Sequence, residues 1–108
     1  MTVETLLQNG FNAIHIADGT REIHGAYIGD LLSWVMGRGT EDEAWITIMS
    51  NPNVIAVASL INFSCVILSE SVDLSDEVLA LAKAKEINIL SFSGSSYDAA
   101  VALSGLSA

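Results

Sequence analysis

Residues 44–69 read AWITIMSNPNVIAVASLINFSCVILS, and not one of them is charged. The run divides into an apolar strand from Trp45 to Met49, a polar break at Ser50-Asn51-Pro52-Asn53, an apolar helix to about Asn62, and a second strand at Val66–Leu68. Two apolar strands joined by a helix form a βαβ unit, whose parallel strands are covered on both faces. Asn51 is a good helix cap, and Pro52 supplies the fixed φ of a first helical residue. Val54, Ile55, Val57, Leu60 and Ile61 make the helix apolar nearly all round, so burial on more than one side is expected.

Toward the C-terminus, Ser75-Asp76-Glu77 opens an amphipathic helix with Val78, Leu81 and Ala82 inward. Its Lys83 and Lys85 lie near the carboxyl end, where the helix dipole favours cations. Ile87 to Phe92 reads as the last strand. Ser95 and Asp98 have the spacing of a capping box, and a final helix runs toward Leu106. Toward the N-terminus, Thr2 caps a short helix carrying Val3, Leu6 and Leu7, stopped by Asn9-Gly10. Phe11 to Ile16 has strand composition, with Ile14 and Ile16 expected on one face. Asp18-Gly19 marks a turn. Ile23 to Ile28 reads as a strand bent at Gly25. Asp30 is read as the cap of a helix whose stripe is Leu31, Leu32, Val35 and Met36. Glu41-Asp42-Glu43 is expected to be a solvated loop. Trp34 and Trp45 belong in the core or an interface, with Trp45 nearer the surface. The alternation from Ala44 onward predicts an α/β fold with a mostly parallel sheet and right-handed crossovers, the first forty residues adding edge strands. One domain spanning 1–108 accounts for the length.

Thirteen acids against Arg21, Arg38, Lys83 and Lys85 give a formal charge of −9. Four dispersed cations make no phosphate-tracking patch, so neither nucleic acid nor an anionic membrane is an expected partner. Charged residues are only 16% of the chain and apolar ones 51%, which points to a covered surface and a homodimer. A lone cysteine, Cys65, allows no internal disulfide and no ordinary iron–sulfur cluster. The N-terminus has no basic signal region, and polar Ser50–Asn53 interrupts the apolar run, so a cytoplasmic protein is expected.

No phosphate-binding or dinucleotide glycine signature is present. His15 and His24, placed on adjacent strands, could join Asp18, Glu22 or Asp30 around a metal, though the spacing is specific to none. No cofactor is expected. In open α/β sheets ligands collect beyond the carboxyl ends of the strands. Those ends place Asn51, Asn53, Ser93 and Ser95 near helix N-termini, where backbone amides and hydroxyls suit a small phosphorylated or nucleotide-like anion. Plain helix capping asks for the same residue types.

The run Arg21-Glu22-Ile23-His24-Gly25-Ala26-Tyr27-Ile28-Gly29-Asp30-Leu31-Leu32-Ser33 resembles the defining segment of the DRTGG domain family. There an Arg, a short spacer and Gly precede a Tyr, an Asp-Leu-Leu run and a helix. AWITIMSNPNVIAVASL, CVIL and INILS are similar to the family's continuation, so the likeness spans about Phe11 to Leu103. Arg21, Gly25 and Asp30 match the motif. Thr20 stands in place of its acid and His24 in place of its first Gly. The resemblance implies a three-layer α/β/α sandwich like the N-terminal domain of HPr kinase/phosphorylase. Such domains also sit between CBS domains of some pyrophosphatases and beside phosphotransacetylase domains, as regulatory or dimerising modules. Stand-alone copies are labelled HPr serine kinases or hydrogenase-associated iron–sulfur proteins. The missing P-loop and the single cysteine oppose both labels taken literally, and leave association with a redox or hydrogenase system through protein contacts.

Three functions follow as expectations. The first is a non-catalytic regulatory or interaction module that homodimerises and takes a protein partner. The second is a sensor of a small anionic ligand at the carboxyl edge. The third is a small enzyme using Asp30 and His24 as acid and base.

Overall fold

The computed structural model describes residues 1–106; Ser107 and Ala108, the end of the expected domain, lie outside them. Helices are α1 (Val3–Leu7), α2 (Leu32–Arg38), α3 (Pro52–Ile61), α4 (Asp76–Ala84) and α5 (Ser96–Leu106). Strands are β1 (Asn12–His15), β2 (Ala26–Ile28), β3 (Ala44–Thr47), β4 (Cys65–Leu68) and β5 (Ile89–Ser91). They form one sheet in the order β1-β5-β4-β3-β2. Strands β2 to β5 are parallel and β1 runs antiparallel along β5. Both strands from the first forty residues are therefore edge strands, as the pattern predicted.

Strand alternation sorts the core into two layers. Trp45, Val66, Leu68 and Ile89 face α2, α3 and α4, meeting Val35, Val54, Ile55, Val78 and Ala82. Ala44, Ile46, Cys65, Ile67 and Leu90 face α1 and α5, meeting Val3, Leu6, Ala99 and Leu103. The result is the α/β/α sandwich, centred on β3 and β4, whose eight residues are all buried.

Local signals explain the element ends. Thr2 accepts from the Thr5 amide, and Thr5 Oγ1 accepts in return from the Thr2 amide. Asn51 Oδ1 accepts from the Asn53 amide at 2.9 Å, and Pro52 opens α3. Asn62 closes α3 in the left-handed region at φ 66°. Ser75 Oγ accepts from the Val78 amide to start α4.

Five expectations need correction. Asp30 caps no helix: α2 starts after Leu31 with no side-chain cap, and the Asp30 carboxylate is turned toward β3. The α2 stripe is narrower than its pattern, because only Val35 is buried and Leu31 is 60% exposed. Trp45, expected nearer the surface, is fully buried, whereas Trp34 is 54% exposed. Ile14 and Ile16 pack in opposite layers, because a register shift between Ala13 and His15 breaks the period of two. The acidic loop is tied down, not merely solvated. Asp42, at φ 69°, pairs with Arg21 at 3.0 Å, Glu41 accepts from Asn62 at 2.5 Å, and Glu43 accepts from the Thr40 amide at 2.7 Å.

Candidate functional site at the carboxyl edge

Because β2 to β5 are parallel, their carboxyl ends line one edge: Gly29-Asp30, Ile48 to Asn53, Ser69 to Ser71, and Phe92 to Ser96. At the β2 end, Asp30 Oδ1 accepts from the buried Thr47 hydroxyl at 2.6 Å and from the Ile48 amide at 3.0 Å. Thr47 Oγ1 in turn accepts from the Met49 amide at 3.2 Å. The Gly29 carbonyl accepts from Trp45 Nε1 at 2.9 Å. The segment after β2 is thus fastened to β3 at both Gly29 and Asp30.

At the other end, the loops after β4 and β5 fasten to each other. The hydroxyls of Ser69, fully buried, and Ser96 are 2.7 Å apart. The Glu70 amide donates to Gly94 O at 2.8 Å and the Ser71 amide to Phe92 O at 3.1 Å. These bonds hold Glu70 and Ser71 in the left-handed region, at φ 60° and 56°.

The four residues expected to hold a ligand divide along this edge. Asn51 and Ser95 cap α3 and α5, with Ser95 Oγ accepting from the Asp98 amide at 3.0 Å. Ser93 lies in the β5–α5 loop, and its carbonyl accepts a long 3.5 Å bond from Ser71 Oγ. Asn53 lines an apolar groove between α2 and α3, together with Leu32, Met36, Ala56, Val57 and Leu60. The groove encloses about 320 Å³. Asn51 and Asn53 therefore share the start of α3, and Ser93 and Ser95 the β5–α5 turn. The edge can offer hydroxyls and helix-start amides to an anion.

The histidines are elsewhere. β1 and β2 are the two outermost strands, so His15 and His24 cannot meet as they would on adjacent strands. His24 precedes β2 and Asp30 follows it, which separates the acid–base pair considered for an enzyme by the length of the strand. Among the described residues no group of three His, Cys, Asp or Glu side chains is placed to hold a metal.

The other two motif positions act at the amino-terminal edge. Arg21 donates from Nη2 to Asp42 and, at 2.6 Å, to the Asn62 carbonyl, joining the segment before β2 to the end of α3. Gly25 holds φ +98° immediately before β2. A third fastening escaped the sequence reading. Asn88, 4% exposed, accepts from the Ala17 and Asp18 amides and donates to the Asp18 and Ser64 carbonyls, using all four of its hydrogen-bonding positions. A lone amide inside the apolar run Ile87-Asn88-Ile89-Leu90 was the available signal. Asp18 also accepts from the Thr20 hydroxyl and amide, which holds its carboxyl below the usual range. Burial pushes the Cys65 thiol up to about 12, against a smaller opposing pull from Arg21.

No protein-family model matches the chain. No curated protein matches it either. Among solved structures, the chain is similar over 94% of its length to one with a TM-score of 0.75 and 15% identity. It is the crystal structure of the CBS and DRTGG domains of the regulatory region of Clostridium perfringens pyrophosphatase, complexed with its activator, diadenosine tetraphosphate. The chain spans 45% of that structure. No described helix is long and apolar enough to cross a membrane. The fold is that of a DRTGG-like domain.

Proposed function

We propose that this domain is a non-catalytic regulatory and interaction module that works as a homodimer. One observation carries the reading. Among the described residues, Ile28, Leu31, Trp34, Met36, Ile48, Leu60, Tyr97 and Val101 are all large, apolar and about half or more exposed. Single exposed apolar side chains are ordinary, but this many on so small a body exceed what solubility alone favours. The polar groups of the carboxyl edge that do converge, Asp30 with Thr47 and Ser69 with Ser96, spend their bonds inside the protein. Contact, not bond making, is the activity such a surface supports. A protein partner, with a redox or hydrogenase system as the class suggested by the sequence resemblance, would use surface left free by the dimer. Sedimentation velocity tests the reading. A dimer in the micromolar range is expected, and a monomer at high micromolar concentration overturns it.

A second reading has its own support. The similar structure belongs to a regulatory region complexed with a dinucleotide activator. By analogy the carboxyl edge would sense a nucleotide-like anion through Asn51, Asn53, Ser93 and Ser95. A ligand at a hundred times its Kd stabilises by roughly 2.7 kcal/mol, which a thermal-shift screen of nucleotides and sugar phosphates resolves. A flat screen removes this reading and leaves the first untouched.

A further inference from the structure

We infer that Asn9 is a site of spontaneous deamidation in the folded protein, with the Gly10 amide nitrogen as nucleophile, and that the product loosens α1 from β1. Asparagine is thermolabile because the nitrogen of the next residue can attack its side-chain carbonyl carbon. A side chain on that next residue obstructs the attack, and a hydrogen bond from its amide opposes it. Among the asparagines of the sequence, Asn9 alone precedes a glycine. Asn9 and Gly10 are both exposed, in the turn between α1 and β1. Among the described residues nothing accepts from the Gly10 amide, and nothing lies within 4 Å of where a Gly10 Cβ would be. The Asn9 side chain is tethered through Nδ2, the nitrogen that leaves, which donates to the Thr5 carbonyl at 2.7 Å.

The other pair with the right composition, Asp18-Gly19, is closed to the same attack. Asp18 Oδ1 accepts from the Thr20 amide and hydroxyl, which keeps the carboxyl ionised and a poor electrophile. Glu4 Cγ also stands 2.8 Å from where a Gly19 Cβ would be. Asn51 precedes Pro52, which has no amide proton, and Asn88 is 4% exposed with its amide fully bonded.

The step needs only water. The Gly10 nitrogen loses its proton and bonds to Asn9 Cγ. The Cγ–Nδ2 bond breaks, and Nδ2 takes a proton from water and leaves as ammonia. Water then opens the cyclic imide. Cleavage at Cγ gives aspartate; cleavage at the main-chain carbonyl gives isoaspartate, with the chain running through Cβ and Cγ. Both products lose the donor to Thr5 and add a negative charge to a chain already at −9, at the helix end where the dipole disfavours it. Isoaspartate also lengthens the backbone just before Phe11. That residue is 2% exposed, stacks on Phe92 at 4.8 Å, and donates its amide to the Leu6 carbonyl at 3.2 Å. The extra length pulls against this anchor, which joins α1 to β1.

Incubation of the wild type, N9Q and urea-unfolded wild type for days at mildly alkaline pH tests the site. Digestion and tandem mass spectrometry of the peptide ending at Arg21 locate the change. Native Asn9 should convert to aspartate and isoaspartate within an order of magnitude of the unfolded rate, in proportion to hydroxide, while N9Q and the other asparagines stay intact. An Asn9 that survives in the native protein while the unfolded chain converts overturns the proposal, as does earlier conversion at another asparagine. The isoaspartyl form, separated by anion exchange, should melt below both the unconverted protein and N9D. A Tm equal to that of the unconverted protein overturns the loosening of α1.

Discussion

Replacing Asp30 with alanine tests whether this motif residue is a fastening between β2 and β3. Its Oδ1 atom is the acceptor for the Thr47 hydroxyl and the Ile48 amide. Hydrogen bonds to a charged group contribute about 1.5–3 kcal/mol each. Asp30 and the Ile48 bond are exposed, so water replaces that second bond at small cost. Thr47 is 1% exposed, and its hydroxyl loses its acceptor. The net loss in Asp30→Ala is therefore about 2 kcal/mol. With a urea m-value of about 1.5 kcal/mol/M for a chain of this size, the midpoint falls by about 1.3 M. Asp30→Asn keeps the Oδ1 acceptor and loses only the charge, so about 1 kcal/mol or less is expected. Thr47→Val removes the same contact from the other side, together with the acceptor for the Met49 amide. The double variant should then be less destabilised than the sum of the singles by about 1 kcal/mol. Urea denaturation followed by tryptophan fluorescence and by circular dichroism measures the four variants against the wild type. Additive losses, or a loss below about 0.5 kcal/mol in Asp30→Ala, refute the fastening.

Gly25→Ala should cost about 1–2 kcal/mol in a urea titration. Among the described residues an added Cβ would meet, within 4 Å, only Glu43 Oε2 at 3.8 Å, so the cost comes from φ +98° and not from crowding. Arg21→Ala should cost about 1 kcal/mol by the same measurement, because the ion pair is partly exposed. Arg21→Lys should recover part of that loss, and equal losses would deny the guanidinium bridge to Asn62. Cys65 should resist a thiol reagent at pH 8 until urea unfolds the chain; rapid reaction of the native protein contradicts its burial. Its folded pKa of about 12 exceeds the unfolded value of about 8.5, so its contribution is full below pH 8.5. That contribution falls between pH 8.5 and 12, as the unfolded thiol ionises and the folded one does not, and the stability difference from Cys65→Ala should shrink over that window.

What the sequence revealed depended on how local each signal was. The βαβ unit was readable because β3 and β4 are buried throughout and α3 is apolar nearly all round, and Asn51-Pro52 and Ser75-Asp76 are caps made by neighbours in sequence. Asp30 looked like a cap for the same reason. A carboxylate just before a helical stripe has two possible employers, and only the distance to Thr47, seventeen residues on, chooses between them. Trp45 was misplaced because nothing local says that Gly29 O waits for its indole N–H. Ile14 and Ile16 obeyed a period of two that a register shift then broke. Arg21 and Asn88 act across separations of 41 and 70 or more residues, so no spacing rule reaches them. At the candidate site the sequence named the right edge, since parallel strands fix it. It could not show that Asn51 and Ser95 turn their oxygens onto their own helices, or that Asn53 belongs with Met36 and Leu60.

The fastenings at Gly29, Asp30 and Arg21 share a placement around strand β2. Asp30 and Gly29 bind the β2–α2 segment to β3 at the carboxyl edge, while Arg21 binds the approach to β2 to the end of α3 at the amino edge. Strand β2 has a neighbour on one side only, and it is three residues long. Backbone pairing alone therefore holds it weakly, and the side chains of Arg21 and Asp30 supply what the short ladder lacks. Helix α2, whose outer surface carries Trp34 and Met36, is joined directly to this strand through residues 29–31. Loosening Asp30 from Thr47 is therefore expected to free α2 from the sheet before α3 and α4, which do not depend on this bond. The same Asp30→Ala protein that tests the fastening should on this reasoning also exchange its α2 amide hydrogens faster, relative to those of α4, than the wild type does. An unchanged ratio of α2 to α4 protection in a measurably destabilised Asp30→Ala would show that the fastening and the seating of α2 are independent.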